Sequence, residues 1–259
     1  MNFWYQLTGD WQSFPLIAVA LHSGHTLNPS LDGLMALTDQ ERLTEEDPFT
    51  DQLTLVAPGQ LIVALSRFKV DFNREEELCL YLQLQESFGL TVWKSKPSPE
   101  LIQAARAKHQ RFYQDLFQIF SRLGRRFPAF IVLAIHSYDQ RRVEPEKSPD
   151  IDVGTWLNQL KWRPLIDRFL ADLARFDFFG QRLIVKENTR FETPGFFEIW
   201  LSQAFPQSCC LSIEVAKQLF MNEQKLEVNS VRLQAIKDCL AFALRGVKEE
   251  LKPYALSQL

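Results

Sequence analysis

The chain has 259 residues, 46% of them hydrophobic, and a formal net charge of −3 from 29 basic and 32 acidic side chains. That apolar fraction can fill a substantial core, and the balanced charge gives no global field to attract nucleic acid or an anionic membrane. No apolar run nears the ~20 residues of a membrane span, and the four cysteines (Cys79, Cys209, Cys210, Cys239) show no CxxC spacing, which argues against a disulfide framework or a cysteine zinc site.

In chain order, the start "MNFWYQLTGDWQ" lacks the charged opening and cleavage site of a signal peptide, so a cytoplasmic location is expected. The runs "PLIAVALHS" (15–23), "QLIVALSRFKVDF" (60–72), "AFIVLAIHS" (129–137), "RLIVKEN" (182–188) and "SCCLSIEVA" (208–216) are short and nearly continuously apolar. Continuous apolarity is what strands covered on both faces require. Between them, "PELIQAARAKHQRFYQDLFQIFSRLG" (99–124) predicts a helix opened by Pro99 and closed by Gly124, with Leu101, Ile102, Ala105, Tyr113, Leu116 and Phe117 on its apolar stripe. "RPLIDRFLADLARFDFFG" (163–180) and "SVRLQAIKDCLAFALRGVKEEL" (230–251) carry the same period, and "FFEIWLSQAF" (196–205) reads as a core-facing helix. Strands alternating with helices predict a three-layer αβα sandwich around a central mixed, mostly parallel sheet. Cys209 and Cys210 would point to opposite faces of their strand.

The strand tails carry the chemistry. Three runs end in His22-Ser23-Gly24, His136-Ser137 and Asn188, and a fourth contains Glu214. Open α/β sheets bind ligands at the carboxyl ends of their strands. A catalytic zinc takes three protein ligands and keeps one position open. His22 and His136 supply two, and "LTEEDPFTDQL" offers Glu45, Glu46, Asp47 and Asp51 for the third. Read alone, each histidine is more simply a hydrogen-bonded strand end. His25 reads as a rim or supporting group, and His109 as a surface histidine. In strand geometry Arg67, Lys69, Asp71 and Asn73 share one face, with Arg67 suited to carboxylate recognition or to stabilising an oxyanion. The plainer reading, an Arg67–Asp71 structural pair, needs the chain to bend. Glu214 among aliphatic neighbours is expected to have a raised pKa unless paired, which suits a general base; a buried salt bridge is the alternative.

The pieces "HSG" (22–24), "DPFTD" (47–51), "SRFKVDFNR" (66–74), "IHS" (135–137), "PDIDVGT" (149–155), "ENTRF" (187–191) with Gly195, and "IEVAKQLFMNE" (213–223) together resemble the N-formylglutamate amidohydrolase family, in the family's order and over most of the chain. The resemblance implies one domain over 1–259, a fold similar to zinc carboxypeptidases and aspartoacylases, and a zinc-dependent cleavage of the amide of an N-acylated acidic amino acid, a small-molecule substrate. It implies His22, Asp51 and His136 as metal ligands, with Asp47 the close rival to Asp51. Asn73 and Arg74 would grip the substrate carboxylate, Arg67 would polarise the scissile carbonyl, and Glu214 would move the proton from water to the leaving amine. Asn188 and Arg190 would line the substrate side. The segment after Asn188 departs from the family's pattern, keeping one glycine and inserting Arg190, and "YDQRRVEPEKS" is basic then acidic. These departures leave open a hydrolase of larger γ-linked peptide or cell-wall substrates, or a non-catalytic carboxylate-binding module.

Overall fold

The computed structural model describes residues 4–27, 31, 33–87, 89–142, 144–222 and 227–256. Its strands in chain order are β1 (Tyr5–Gly9), β2 (Leu16–Ala20), β3 (Gly59–Val63), β4 (Phe130–Tyr138), β5 (Ile151–Gly154), β6 (Asp177–Phe178), β7 (Gln181–Arg182), β8 (Val185–Glu187), β9 (Ser208–Ala216), β10 (Met221–Asn222) and β11 (Glu227–Val228). The helices are α1 (Asp39–Glu45), α2 (Thr50–Leu53), α3 (Pro99–Arg126), α4 (Arg163–Arg175), α5 (Phe196–Ala204) and α6 (Ser230–Leu256). Among the described residues, no helix is long and apolar enough to cross a membrane.

Seven strands form one sheet in the order β1-β3-β2-β4-β9-β5-β8. Strand β2 runs parallel to β3 and β4, β4 to β9, and β5 to β8, while β1 and β5 lie antiparallel to β3 and β9. The central strands are apolar on both faces because both are covered. Leu16, Ala18, Ile131 and Leu133 enter the core closed by α4 and α6, whereas Ile17, Val19, Val132 and Ala134 enter the core closed by α3 and α5. The same alternation splits the cysteine pair, Cys209 facing the first core and Cys210 the second. This is the predicted α/β sandwich with a mixed, mostly parallel sheet.

Local signals set the helix ends. The Ser98 hydroxyl accepts the Leu101 N–H and Pro99 occupies the first turn of α3, which then runs past Gly124 to Arg126. Phe117, placed on the apolar stripe by its spacing, is 48% exposed and leans on Phe205 instead. The larger correction concerns 60–72. The strand stops at Val63, and the Ser66 carbonyl accepts the N–H groups of Lys69 and Val70. That turn cancels strand alternation and folds Arg67 back onto Asp71 at 2.9 Å. The edge strand β1 and the short β5 lacked any apolar run long enough to announce them.

Candidate active site

Strand register aligns the polar groups in a row. His136 on β4 lies opposite Glu214 on β9, and Glu214 lies opposite Asp152 on β5. His22 follows the end of β2, where Gly24 lets the chain touch the neighbouring main chain: a Cβ there would sit 2.2 Å from the Ala64 carbonyl carbon. Asp47 arrives from the turn after α1, its N–H donating to the His22 carbonyl at 2.9 Å. Its Oδ2 lies 3.0 Å from His136 Nδ1 and 3.4 Å from His22 Nδ1.

The carboxylate beside the histidines is therefore Asp47, and the expectation for Asp51 is corrected. Phe49 adopts left-handed backbone (φ 68°), which turns the chain sharply after Asp47. Helix α2 then carries Asp51 away from the cavity, where its main-chain carbonyl accepts the Thr54 hydroxyl.

His22 is oriented from behind. Its Nε2–H donates to Asp71 Oδ1 at 2.8 Å, with Nδ1 turned toward Asp47. Asp71 is fully buried; its other oxygen accepts Arg67 Nε at 3.1 Å, Arg67 NH2 at 2.9 Å and the Tyr81 hydroxyl. Burial alone would raise the Asp71 carboxyl, but the charges of His22 and Arg67 outweigh it and hold it well below the usual range. Asp47 behaves alike: burial opposes its charge, and hydrogen bonds from His136 and His22 prevail. His136 is raised to about 9, burial being overcome by its hydrogen bond to Asp47 and the charge of Glu214.

Two imidazole nitrogens aimed at one buried carboxylate oxygen form a donor set within 4.8 Å. Two ligands of a tetrahedral zinc at about 2 Å lie roughly 3.3 Å apart, and the 3.0 and 3.4 Å separations bracket that value. The residues fit a divalent cation of the zinc type.

The rest of the cavity, about 690 Å³ in volume, surrounds this cluster. Glu214 faces it and, among the described residues, makes no ion pair, so the salt-bridge alternative is not met. Burial pushes its carboxyl up to about 7; His136 opposes the rise, and the charges of Asp47 and Glu198 add to it. Arg67 and Arg74 line one wall, Arg74 stacked 4.7 Å over the Tyr81 ring with a buried NH1 that has no hydrogen-bond partner. Asn73 Oδ1 accepts the Phe197 N–H at 3.1 Å, an approach possible because residue 195 is glycine; a Cβ there would meet Asn73 at 2.5 Å. Arg190, also lining the cavity, lies 4.3 Å over Phe191, its Nε buried and unpartnered.

Asn188 is a second correction. It takes left-handed backbone (φ 53°), and its amide is spent on Thr155, accepting the main-chain N–H at 2.8 Å and donating to the hydroxyl at 3.1 Å. It braces the turn that presents Arg190 and does not line the cavity. A third concerns His109, which is buried and donates through Nε2 to the Arg74 carbonyl at 2.8 Å. His25 supports from the side, its Nδ1 on Glu46 Oε2 at 2.5 Å. Tyr81, Asp152, Glu198 and Lys217 line the cavity without having been singled out from the sequence, and Asp71 was read there only as a partner for Arg67. A carboxylate between Val70 and Phe72, and a lysine after an unbroken strand, were the available signals.

An open α/β sheet that gathers two imidazoles, an ionised carboxylate, a carboxyl raised by burial and three guanidiniums at its strand ends has the equipment of a hydrolase acting on an amide. The chain belongs to the N-formylglutamate amidohydrolase family, whose sequence profile matches residues 14–221. Its fold is similar to that of an N-formylglutamate amidohydrolase from Ralstonia eutropha JMP134, with TM-score 0.76, 17% identity and coverage of 96% of this chain and 98% of that one. It is also similar to gene product Atu2144 from Agrobacterium tumefaciens, with TM-score 0.63, 16% identity and coverage of 94% and 96%. No curated protein matches the sequence.

Proposed function

We propose that the protein is a metal-dependent amidohydrolase that cleaves the amide of an N-acylated acidic amino acid. The observation that carries this is the meeting of His22, Asp47 and His136 beside an unpaired Glu214 in one cavity. The three residues would hold one divalent cation, which when bound supplies Lewis acidity toward the amide carbonyl and the attacking water.

The chain's own groups do the rest. Glu214, its carboxyl raised by burial to about 7, can take a proton from the attacking water and return it to the leaving nitrogen. Arg67, fixed by Asp71 and by the Glu45 carbonyl at 3.2 Å, presents a guanidinium whose charge stabilises the negative charge that develops on the carbonyl oxygen. Arg74 has an unsatisfied buried N–H that a substrate carboxylate would complete, and Asn73 stands beside it. Asp71, accepting from His22 Nε2–H, would leave that imidazole's Nδ1 lone pair for the cation.

The volume favours a second reading within the same class. N-formylglutamate has about a dozen non-hydrogen atoms, whereas a cavity of 690 Å³ is sized for a drug-like ligand. A hydrolase of larger γ-linked peptide or cell-wall substrates fits that space, which Arg190 and Trp156 help to line. The deciding experiment uses protein purified without chelator. Metal analysis should find close to one zinc per chain, and a panel of N-formyl, longer N-acyl and γ-glutamyl amino acids should show saturable hydrolysis. Binding across the panel without turnover under any added divalent metal would instead support a non-catalytic carboxylate-binding module.

A further inference from the structure

The carbonyls of Thr44, Glu45 and Glu46 end helix α1 immediately before Asp47. Carbonyls at a helix C-terminus lack intrahelical partners and carry partial negative charge. Each of the three is caught by a cation from a distant segment. Lys217 Nζ donates to the Thr44 and Glu46 carbonyls at 2.6 Å each, and Arg67 donates to the Glu45 carbonyl between them. The helix exits in extended backbone at Glu46 (φ −72°, ψ 169°), so the left-handed glycine cap that commonly closes a helix is not used.

Lys217 is only 4% exposed and, among the described residues, makes no ion pair. Burying an ammonium without a carboxylate is unfavourable, and a seven-residue helix could have had its end capped by water at a surface. What the arrangement achieves is a link between segments 171 and 173 positions apart. Lys217 stands three residues beyond Glu214, at the end of β9; the carbonyls it holds flank the turn that delivers Asp47.

We propose that Lys217 is a positioning residue. Its ammonium locks the Thr44–Glu46 turn to the end of the Glu214 strand, so that the Asp47 carboxylate is preset beside His22 and His136. The consequence for metal binding rests on the cation reading above; the clamp itself does not. A site whose carboxylate is already in place binds its cation without first ordering a loop.

The test is a double-mutant cycle on Zn²⁺ affinity, measured by competition with a chromophoric chelator, together with hydrogen exchange of the metal-free protein. Lys217→Met should weaken zinc binding by about 10–100-fold, yet by less than about twofold in an Asp47→Asn background, where the carboxylate it positions is gone. In metal-free protein, exchange over 44–47 should quicken at least about tenfold, with β2 and β4 unchanged. Lys217→Gln, which keeps one donor, should fall between and serves if the Met variant does not fold. Unaltered zinc affinity in the variants, or an equal loss in both backgrounds, overturns the proposal. If the wild-type protein holds no zinc, the cation reading fails separately, and the exchange over 44–47 alone decides the clamp: acceleration sustains it and no change overturns it.

Discussion

Glu214→Gln should make the metal-free protein more stable and the loaded protein nearly inert. The folded carboxyl sits at about 7 against an ordinary 4.5, chiefly because of burial. A raised carboxylate favours the folded state when protonated, so its contribution is fully present below about 4.5 and is lost as pH rises through about 7. Linkage puts the cost of ionised Glu214 at roughly 3 kcal/mol at pH 8 and roughly 1 kcal/mol at pH 5. Glutamine is neutral throughout and escapes this loss. For a chain of this size each kcal/mol moves Tm by about 2–4 °C, so the variant should melt about 6–12 °C above wild type at pH 8. The gap should shrink to a few degrees at pH 5. Calorimetry in chelator across that range measures it, and turnover of the metal-loaded variant should fall by about 10²–10⁴-fold. A variant that melts with wild type at pH 8 would refute the claim that the fold carries this carboxylate at a cost. One that also keeps its turnover would remove Glu214 from the chemistry.

Asp47→Asn should weaken Zn²⁺ binding by more than about 100-fold, while Asp51→Asn should leave it within about twofold; a chelator titration separates them. Asp71→Asn frees the back of His22 and one side of Arg67, and should lower zinc affinity by about 10–100-fold and kcat/KM by at least as much. Arg74→Ala should raise KM by about 10–100-fold for an N-acyl amino acid with a free carboxylate and by less than about twofold for its carboxamide; equal effects on both would place the carboxylate elsewhere. Asn188→Ala puts a Cβ-bearing residue with no side-chain hydrogen bonds into left-handed backbone, and should cost about 1–3 kcal/mol of stability in urea denaturation. Its kcat/KM should stay near wild type where the variant remains folded.

His22, His136 and Glu214 were legible because each breaks or ends an apolar run, which an ordinary buried strand has no reason to do. The sheet was legible for the same reason: Leu16–Ala20, Phe130–Tyr138 and Ser208–Ala216 are covered on both faces and show it residue by residue. Asp47 and Asp51 could not be told apart by composition, since they share one five-residue stretch and a single left-handed residue, Phe49, decides which turns inward. Asn188 misled because a polar residue at a strand end looks alike whether it serves a ligand or a neighbouring loop. The bond from His22 to Asp71 spans 49 positions and those of Lys217 span more than 170, and such contacts leave no local period.

Those long bonds also determine how far the site's parts are independent. Asp71 gives one oxygen to the histidine that would bind the cation and the other to the guanidinium that would face the oxyanion. The same guanidinium reaches the Glu45 carbonyl two residues before Asp47, and Lys217 grips the carbonyls on either side. His22, Asp47 and Arg67 are thus tied through one buried carboxylate and one clamped turn, while β4 and β9 fix His136 and Glu214 by direct pairing. Moving any of the first three moves the others. Losses from changing them in pairs should therefore fall short of the sum of the single losses, as for residues acting as one unit. Independent, additive effects of Asp71 and Arg67 substitutions would show instead that the carboxylate serves the histidine alone.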